Sequence, residues 1–267
     1  MKPAPFDYHA PGSLDEALAL RARLGGGSAL LAGGQSLVPM LNMRLARPDS
    51  VIDLNGVREL AGIREADGGI AVGAMTRQRW LERSNAAHAV CPLLREALGF
   101  VAHAVIRNRG TVGGSIAHAD AAAELPAVLL ALGGHVSAAG PRGTRRIAAD
   151  DFFRFHLTTA LDYEEILTEV WFPALPRGSG CAFLEVSRRH GDFALAGVAA
   201  VVGPDGARLA FSGVGPRPLL VTSDDPEAAM AAVEPADDVH ASAEYRRELV
   251  GVLARRAVAL ARSRAAQ

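Results

Sequence analysis

Two short segments hold the residue types from which this chain could build a binding site. They are Ala32-Gly33-Gly34-Gln35-Ser36 and Thr111-Val112-Gly113-Gly114-Ser115. Each has a pair of glycines followed, at once or one residue later, by a serine. Without a Cβ, glycine lets the backbone approach a ligand closely and take up positive φ. Successive backbone N–H groups can then converge on an anion, and Ser and Thr hydroxyls add donors. Two such segments, about 80 residues apart, could grip a pyrophosphate from both sides. A lone Gly-Gly pair is more often a plain turn. Neither segment is the G-x-G-x-x-G of a Rossmann fold or the G-x-x-x-x-G-K-[ST] of a P-loop. Lys2 is the only lysine, which excludes a P-loop and with it ordinary ATPase and kinase chemistry.

The elements around these segments are readable from pattern. Ser13-Leu14-Asp15-Glu16 forms a capping box in which Ser13 accepts from the N3 amide and Glu16 reaches back. The helix it opens ends at Gly25-Gly26-Gly27. Ala29 to Ala32 is a short apolar run suited to a buried strand, leading straight into the first glycine pair. Leu37 to Leu45 predicts a short helix and Val51 to Leu54 a second strand, so the first 55 residues read as a small α/β unit. Further on, Gly69 to Val72 predicts a strand, Thr76 to Glu82 a helix, and Pro92 to Leu98 a helix with proline at its start. Asn108 to His118 reads as a glycine-punctuated loop and strand. Glu124 to Leu132 reads as a helix, and Val136 to Ala139 and Ile166 to Phe172 as strands. The stretch from Pro173 to Gly180 is the best boundary in the chain. After it come Ala182 to Ser187, then Ala194 to Val202 and Ala207 to Ser212 joined by Gly203-Pro204-Asp205-Gly206, a hairpin signal. In the last helix Leu249, Val252, Leu253, Ala257 and Leu260 share a face, and Arg246, Arg255 and Arg262 fall off it as a solvated charge pattern.

Composition narrows the possible functions. The 267 residues are 49% apolar and 21% charged with a net charge of -1, an ordinary globular balance. It is far from the basic surplus of a nucleic-acid binder. Cys91 and Cys181 are the only cysteines, too few for an iron–sulfur cluster, a Cys-rich zinc site or a disulfide framework. No apolar run reaches the length of a membrane span and no signal peptide is evident. The expected location is the cytoplasm, with peripheral attachment at the inner face of the membrane left open.

Four stretches together carry a family resemblance. They are Phe6-Asp7-Tyr8, AGGQSLVPMLNMRLARP (Ala32 to Pro48), RNRGTVGGSIAHADAAAELPAVLLAL (Arg107 to Leu132) and RRHGDFALAG (Arg188 to Gly197). In this order they resemble the FAD-binding medium subunit of molybdenum hydroxylases, the xanthine dehydrogenase and aerobic carbon monoxide dehydrogenase family. The match runs from Phe6 to about Ser212. It implies an α+β chain: a PCMH-type (vanillyl-alcohol-oxidase-like) FAD-binding domain at 1–176, in two α/β subdomains of about 1–55 and 56–176, then a small C-terminal domain of antiparallel strands and helices at 177–267. It also implies that Ala32, Gly33, Gly34, Gln35 and Ser36, with Thr111, Val112, Gly113, Gly114 and Ser115, hold the FAD pyrophosphate. Glu124 matches an acidic position that bonds the ribose or ribityl hydroxyls, with Asp120 a second acidic candidate. Leu167 matches an apolar flavin contact and Phe193 an aromatic position beside the isoalloxazine.

The resemblance further implies an electron-transfer subunit without a general base or nucleophile of its own. Substrate would react at a molybdopterin–molybdenum site on a large partner. Electrons would pass through two [2Fe–2S] clusters on a small partner to this FAD, and from it to an external acceptor. A dimer of heterotrimers is the family expectation. The flavin-side lysine of xanthine dehydrogenases is missing from Phe183 to Arg188, which leans away from NAD as acceptor. The cysteine-rich insertion of the 4-hydroxybenzoyl-CoA reductase branch is absent too. The alternatives are a stand-alone flavin oxidase or reductase of the same fold and a flavin-free assembly subunit. Among the remaining candidates, His118 reads as a structural histidine and Cys91 and Cys181 as packing residues. His103 has little support as a covalent flavin anchor. Arg188 and Arg189 are equally a solvated pair or part of an acceptor surface.

Overall fold

The computed structural model describes residues 2–266. The N-terminal part is a three-stranded parallel sheet of β1 (Asp7–His9), β2 (Ser28–Leu31) and β3 (Ser50–Asp53) in the order β1-β3-β2. Helix α1 (Leu14–Leu24) joins β1 to β2, and α2 (Leu37–Asn42) joins β2 to β3. Parallel neighbours need such crossovers, and they leave the carboxyl ends of β2 and β3 side by side, Leu31 opposite Asp53. The cap on α1 forms through Ser13 Oγ, which accepts from the Glu16 amide at 3.2 Å. Glu16 Oε2 accepts from the Gly12 amide at 2.7 Å rather than from Ser13, one residue further back than a capping box requires.

The middle sheet is antiparallel, in the order β4 (Ile63–Ala66), β5 (Gly69–Gly73), β10 (Ile166–Pro173), β6 (His135–Gly140) and β7 (Gly143–Ala148). The chain between β5 and β6 forms six helices: α3 (Gln78–Arg83), α4 (Asn85–Val90), α5 (Pro92–Phe100), α6 (Ala104–Arg107), α7 (Val112–His118) and α8 (Glu124–Leu132). Helix α9 (Ala149–Phe152) and the short pair β8 (Phe153–Phe155) and β9 (Thr158–Thr159) lead back to β10. Helix α7 corrects the expectation of a loop and strand over Asn108 to His118. Two glycines in a first turn disfavour helix, but Thr111 Oγ1 caps it by accepting from the Gly114 amide at 3.1 Å, and Val112 and Ile116 are buried.

The C-terminal part is an antiparallel sheet, β11 (Gly180–Ser187), β12 (Ala194–Gly203), β13 (Gly206–Ser212) and β14 (Leu219–Val221) in sequence order, followed by α10 (Pro226–Ala232) and α11 (Ala243–Ala265). Strand alternation splits its two faces. Ala182, Val198, Ala200, Leu209 and Phe211 pack with the buried residues of α11. Cys181, Phe183, Ala199, Val201 and Ala210 join the large core that contains α5 and α8. Arg246 departs from the sequence reading of a solvated residue. It is buried, and its Nη1 donates to Leu195 O at 2.6 Å and Gly213 O at 3.0 Å while Nη2 meets Asp238 at 2.6 Å. Three acceptors, two from the ends of the central strands β12 and β13 and one from the preceding loop, therefore pull the side chain inward, where a hydropathy pattern would have left it outside. Among the described residues no helix is long and apolar enough to cross a membrane.

Candidate functional site

The first glycine segment leaves the carboxyl end of β2, the position at which open parallel sheets hold ligands. Gly34 has φ +77°, a left-handed turn that redirects the chain into α2, and its carbonyl accepts from the Val38 amide at 3.0 Å. Among the described residues, the N–H groups of Gly33, Gly34, Gln35 and Ser36 find no acceptor within the chain. Four adjacent donors on this half-buried turn are thus left open to a ligand.

The second segment is used differently. Four of its five amides are spent inside the fold. Val112 donates to Thr76 O (2.9 Å), Gly113 to Ala74 O (2.9 Å), Gly114 to Thr111 Oγ1 (3.1 Å) and Ser115 to Thr111 O (3.1 Å). The glycines here provide close approach. A Cβ on Gly113 would lie 2.5 Å from the Ala74 Cβ, and one on Gly114 would lie 3.2 Å from the Ala32 Cβ. A Cβ on Gly33 would lie 2.5 Å from Arg109 O and 2.7 Å from the Gly110 Cα. The two segments, far apart in sequence, thus pack closely where Ala32 meets Gly114, and what the second still offers a ligand is the Ser115 hydroxyl.

The other expected site residues are distributed around this contact. Leu167 is buried on β10 beside a register shift, and its neighbour Thr168 accepts from the Ala74 amide at 2.8 Å, so two hydrogen bonds connect it to Gly113. Asp120 Oδ1 accepts from the Ala122 amide at 2.9 Å, shaping the turn between α7 and α8. Glu124 starts α8 and is buried; burial pushes its carboxyl up to about 7. Phe193 is 61% exposed, at the end of the β11–β12 connection, where Gly191 packs on the His103 ring. Burial holds His118 below the ordinary histidine value. Cys91 and Cys181 are buried free thiols pushed up to about 12 and about 11 by burial.

Several polar residues at the site carry no sequence motif. Asn55 and Arg77 bond the carbonyls of Ala32, in the first glycine segment, and of Arg109, two residues before the second. Glu185, Gly197 and Ser212 are directly opposite one another across β11, β12 and β13, on the sheet face that meets α5 and α8. Glu185 Oε2 and Ser212 Oγ are buried without partners, and burial, with Glu124 adding to it, pushes Glu185 up to about 8. Among the described residues, no group of three or more His, Cys, Asp or Glu side chains is placed to hold a metal ion. An open cleft of about 700 Å³, lined in part by Arg145, Arg146 and Arg154, shares no residue with the glycine segments, and Arg145 is committed to Glu165 at 2.6 Å.

Residues 4–175 match the family model of the FAD binding domain in molybdopterin dehydrogenase. The chain belongs to that family. Among its relatives is the 6-hydroxypseudooxynicotine dehydrogenase complex subunit alpha of Paenarthrobacter nicotinovorans, 43% identical over 99% of this chain and 97% of the relative. The carbon monoxide dehydrogenase medium chain of Hydrogenophaga pseudoflava is 38% identical over the full length of both. A solved carbon monoxide dehydrogenase from the same organism superposes with a TM-score of 0.95 over 99% of each chain. Quinoline 2-oxidoreductase from Pseudomonas putida 86 does so with 0.91 at 34% identity, covering both chains completely. The medium subunit described here is thus an FAD-binding component of a molybdenum hydroxylase, an oxidoreductase complex, and its α+β architecture is that of the carbon monoxide dehydrogenase medium chain.

Proposed function

We propose that this medium subunit is the electron-transfer arm of its complex, taking electrons from the [2Fe–2S] clusters of a small subunit and delivering them to an external acceptor. The substrate reacts at the molybdopterin centre of a large subunit, and the three chains assemble as a dimer of heterotrimers. The observation that carries the reading is the unclaimed row of amides at Gly33, Gly34, Gln35 and Ser36, on a turn packed closely against the chain at Arg109, Gly110 and Gly114. That cradle fits an FAD pyrophosphate: donors are present, and no acceptor within the chain claims them.

FAD supplies the two-electron store that exchanges electrons singly with iron–sulfur clusters. The protein's part is to bind, orient and tune. On this proposal Ala32 to Ser36 donate to the pyrophosphate, and Thr111 to Ser115 close its far side with the Ser115 hydroxyl. Glu124, with a carboxyl poised near pH 7, both donates to and accepts from the ribose or ribityl hydroxyls, and Asp120 shapes the turn in front of it. Leu167 and Phe193 supply apolar surface to the ring system, and the exposed Phe193 face is free to pack on a ligand or a partner. The FAD-binding unit is residues 1–176, in parts of about 1–55 and 56–176, and the C-terminal domain is residues 177–267. Purification of a tagged chain from its native host tests this reading. Recovery of a molybdenum-containing large subunit and a Cys-rich small subunit is the expected result. A chain that purifies alone and turns over a substrate of its own would refute it.

A further inference from the structure

We infer that Arg77, with Asn55 as its relay, is the positioning residue that holds the two glycine segments in register and gives the cradle its positive charge. The inference rests on the pyrophosphate reading above and adds to it a residue pair that carries no ligand-binding motif. Arg77 stands at the start of α3, half-buried, with its backbone clamped on both sides. It bridges Thr111, while the Gln78 amide donates to Gly110 O and the Val112 amide to Thr76 O, both at 2.9 Å.

From that fixed base the guanidinium divides its donors. Nη1 reaches Arg109 O at 2.6 Å, and Nη2 reaches Asn55 Oδ1 at 2.6 Å. The Asn55 amide nitrogen then donates to Ala32 O at 2.9 Å. The two carbonyls so captured are the ones that matter. Ala32 O immediately precedes the Gly33 amide, and Arg109 O is the atom against which Gly33 is packed. Asn55 is itself held, because Asp53 Oδ1 accepts from its backbone amide at 2.9 Å and the Tyr8 hydroxyl donates to Asp53 Oδ2 at 2.6 Å. A continuous chain of hydrogen bonds therefore runs from β1, through the ends of β3 and β2, to the residues in front of α7.

The electrostatics point the same way. Burial and then the neighbouring Arg109 charge pull Arg77 below the ordinary arginine value, although an arginine remains charged. Burial pushes Asp53 up, but the Tyr8 hydroxyl and the Asn55 amides outweigh it and hold the carboxyl down. Two guanidinium groups thus stand against one carboxylate under the turn, leaving one positive charge to set against a bound anion. The chain has one lysine and 27 arginines, so arginine is the cation most readily at hand for a phosphate cradle.

The test uses the full-length chain stripped of flavin and titrated with FAD and with riboflavin, which lacks the pyrophosphate. Binding is followed by flavin fluorescence at low and high salt. Arg77→Gln keeps polarity and removes the charge; it is expected to weaken FAD about 30- to 100-fold, as for loss of charge-assisted hydrogen bonds. It should also flatten the salt dependence and leave riboflavin affinity unchanged. Arg77→Lys should recover the salt dependence with part of the affinity. Asn55→Ala, which breaks only the relay to Ala32, should cost FAD about 10-fold and riboflavin nothing. Equal losses for FAD and riboflavin, or no loss for FAD, would overturn the assignment. If the unaltered chain bound riboflavin as tightly as FAD, the pyrophosphate reading itself would fail, and the variants' ligand preference would have nothing to act on.

Discussion

Replacing Gly33 by alanine isolates the steric argument on which the cradle depends. Gly33 is not in the left-handed region, so alanine is tolerated by its dihedrals, and only space opposes it. The added Cβ would lie 2.5 Å from Arg109 O, about 0.9 Å inside the 3.4 Å at which ordinary contact begins. Arg109 O cannot retreat freely, because Arg77 holds it at 2.6 Å. The turn must therefore shift by a sizeable fraction of an ångström. Overpacking of this kind costs about 1–3 kcal/mol, and each charge-assisted hydrogen bond lost from the displaced amides costs about 1.5–3 kcal/mol. The expected result is an FAD affinity lower by about 100-fold, roughly 2.7 kcal/mol, measured by titrating the apo chain and following flavin fluorescence. Gly34→Ala supplies the contrast. Its φ of +77° strains alanine by about 1–2 kcal/mol, but its neighbours are the movable side chains of Val38 and Leu31, at 3.1 and 3.3 Å. It should weaken FAD by about 10-fold. Unchanged FAD binding by Gly33→Ala, or a larger loss from Gly34→Ala, would refute the reasoning.

Two further expectations concern the C-terminal sheet. The folded chain keeps a proton on Glu185 up to about pH 8, whereas an unfolded glutamate releases it near its ordinary value of 4.5. The native state therefore binds more protons across that interval, and this contribution to stability is full below 4.5 and declines as the pH rises toward 8. Glu185→Gln should accordingly lose less thermal stability than the unaltered chain between about pH 5 and about pH 9; parallel Tm-against-pH curves would contradict this. Arg246→Met leaves the Leu195 and Gly213 carbonyls unpaired and Asp238 without its cation. Denaturant unfolding should show a loss on the order of 3 kcal/mol, and a change below about 1 kcal/mol would mean that solvent replaces those bonds.

What could be read in advance divides along physical lines. Local signals survived intact: Glu124–Leu132 is a helix to the residue, Pro92 starts α5, and Gly203 pairs with Gly206 across the hairpin. The glycine segments stand out as a pair through the family resemblance, since either one alone reads as a turn. Strand β1 was missed because Asp7–His9 is polar and largely exposed and becomes a strand only by pairing with β3. Helix α7 was misread because glycine propensity was weighed without the Thr111 cap and the Ala74 contact that override it. Arg246 was placed in solvent because a helical wheel cannot show which carbonyls a long side chain will meet. Asn55 and Arg77 lie 22 residues apart with nothing local to mark them. Their role is visible only once the end of β3 and the start of α3 stand on either side of the same turn. Glu185 and Ser212 belong to the same class, since cross-strand neighbours on a buried face leave no trace in spacing along the chain.

The most direct measurement of the central claim is the identity and stoichiometry of flavin released by acid from the purified chain, taken together with its visible absorption spectrum. One FAD per chain, reduced to a trace in a variant carrying a bulky residue at Gly33 or Gly114, is the expected result. Full flavin occupancy in those variants, or FMN in place of FAD in the unaltered chain, would contradict the assignment of the two glycine segments to a pyrophosphate.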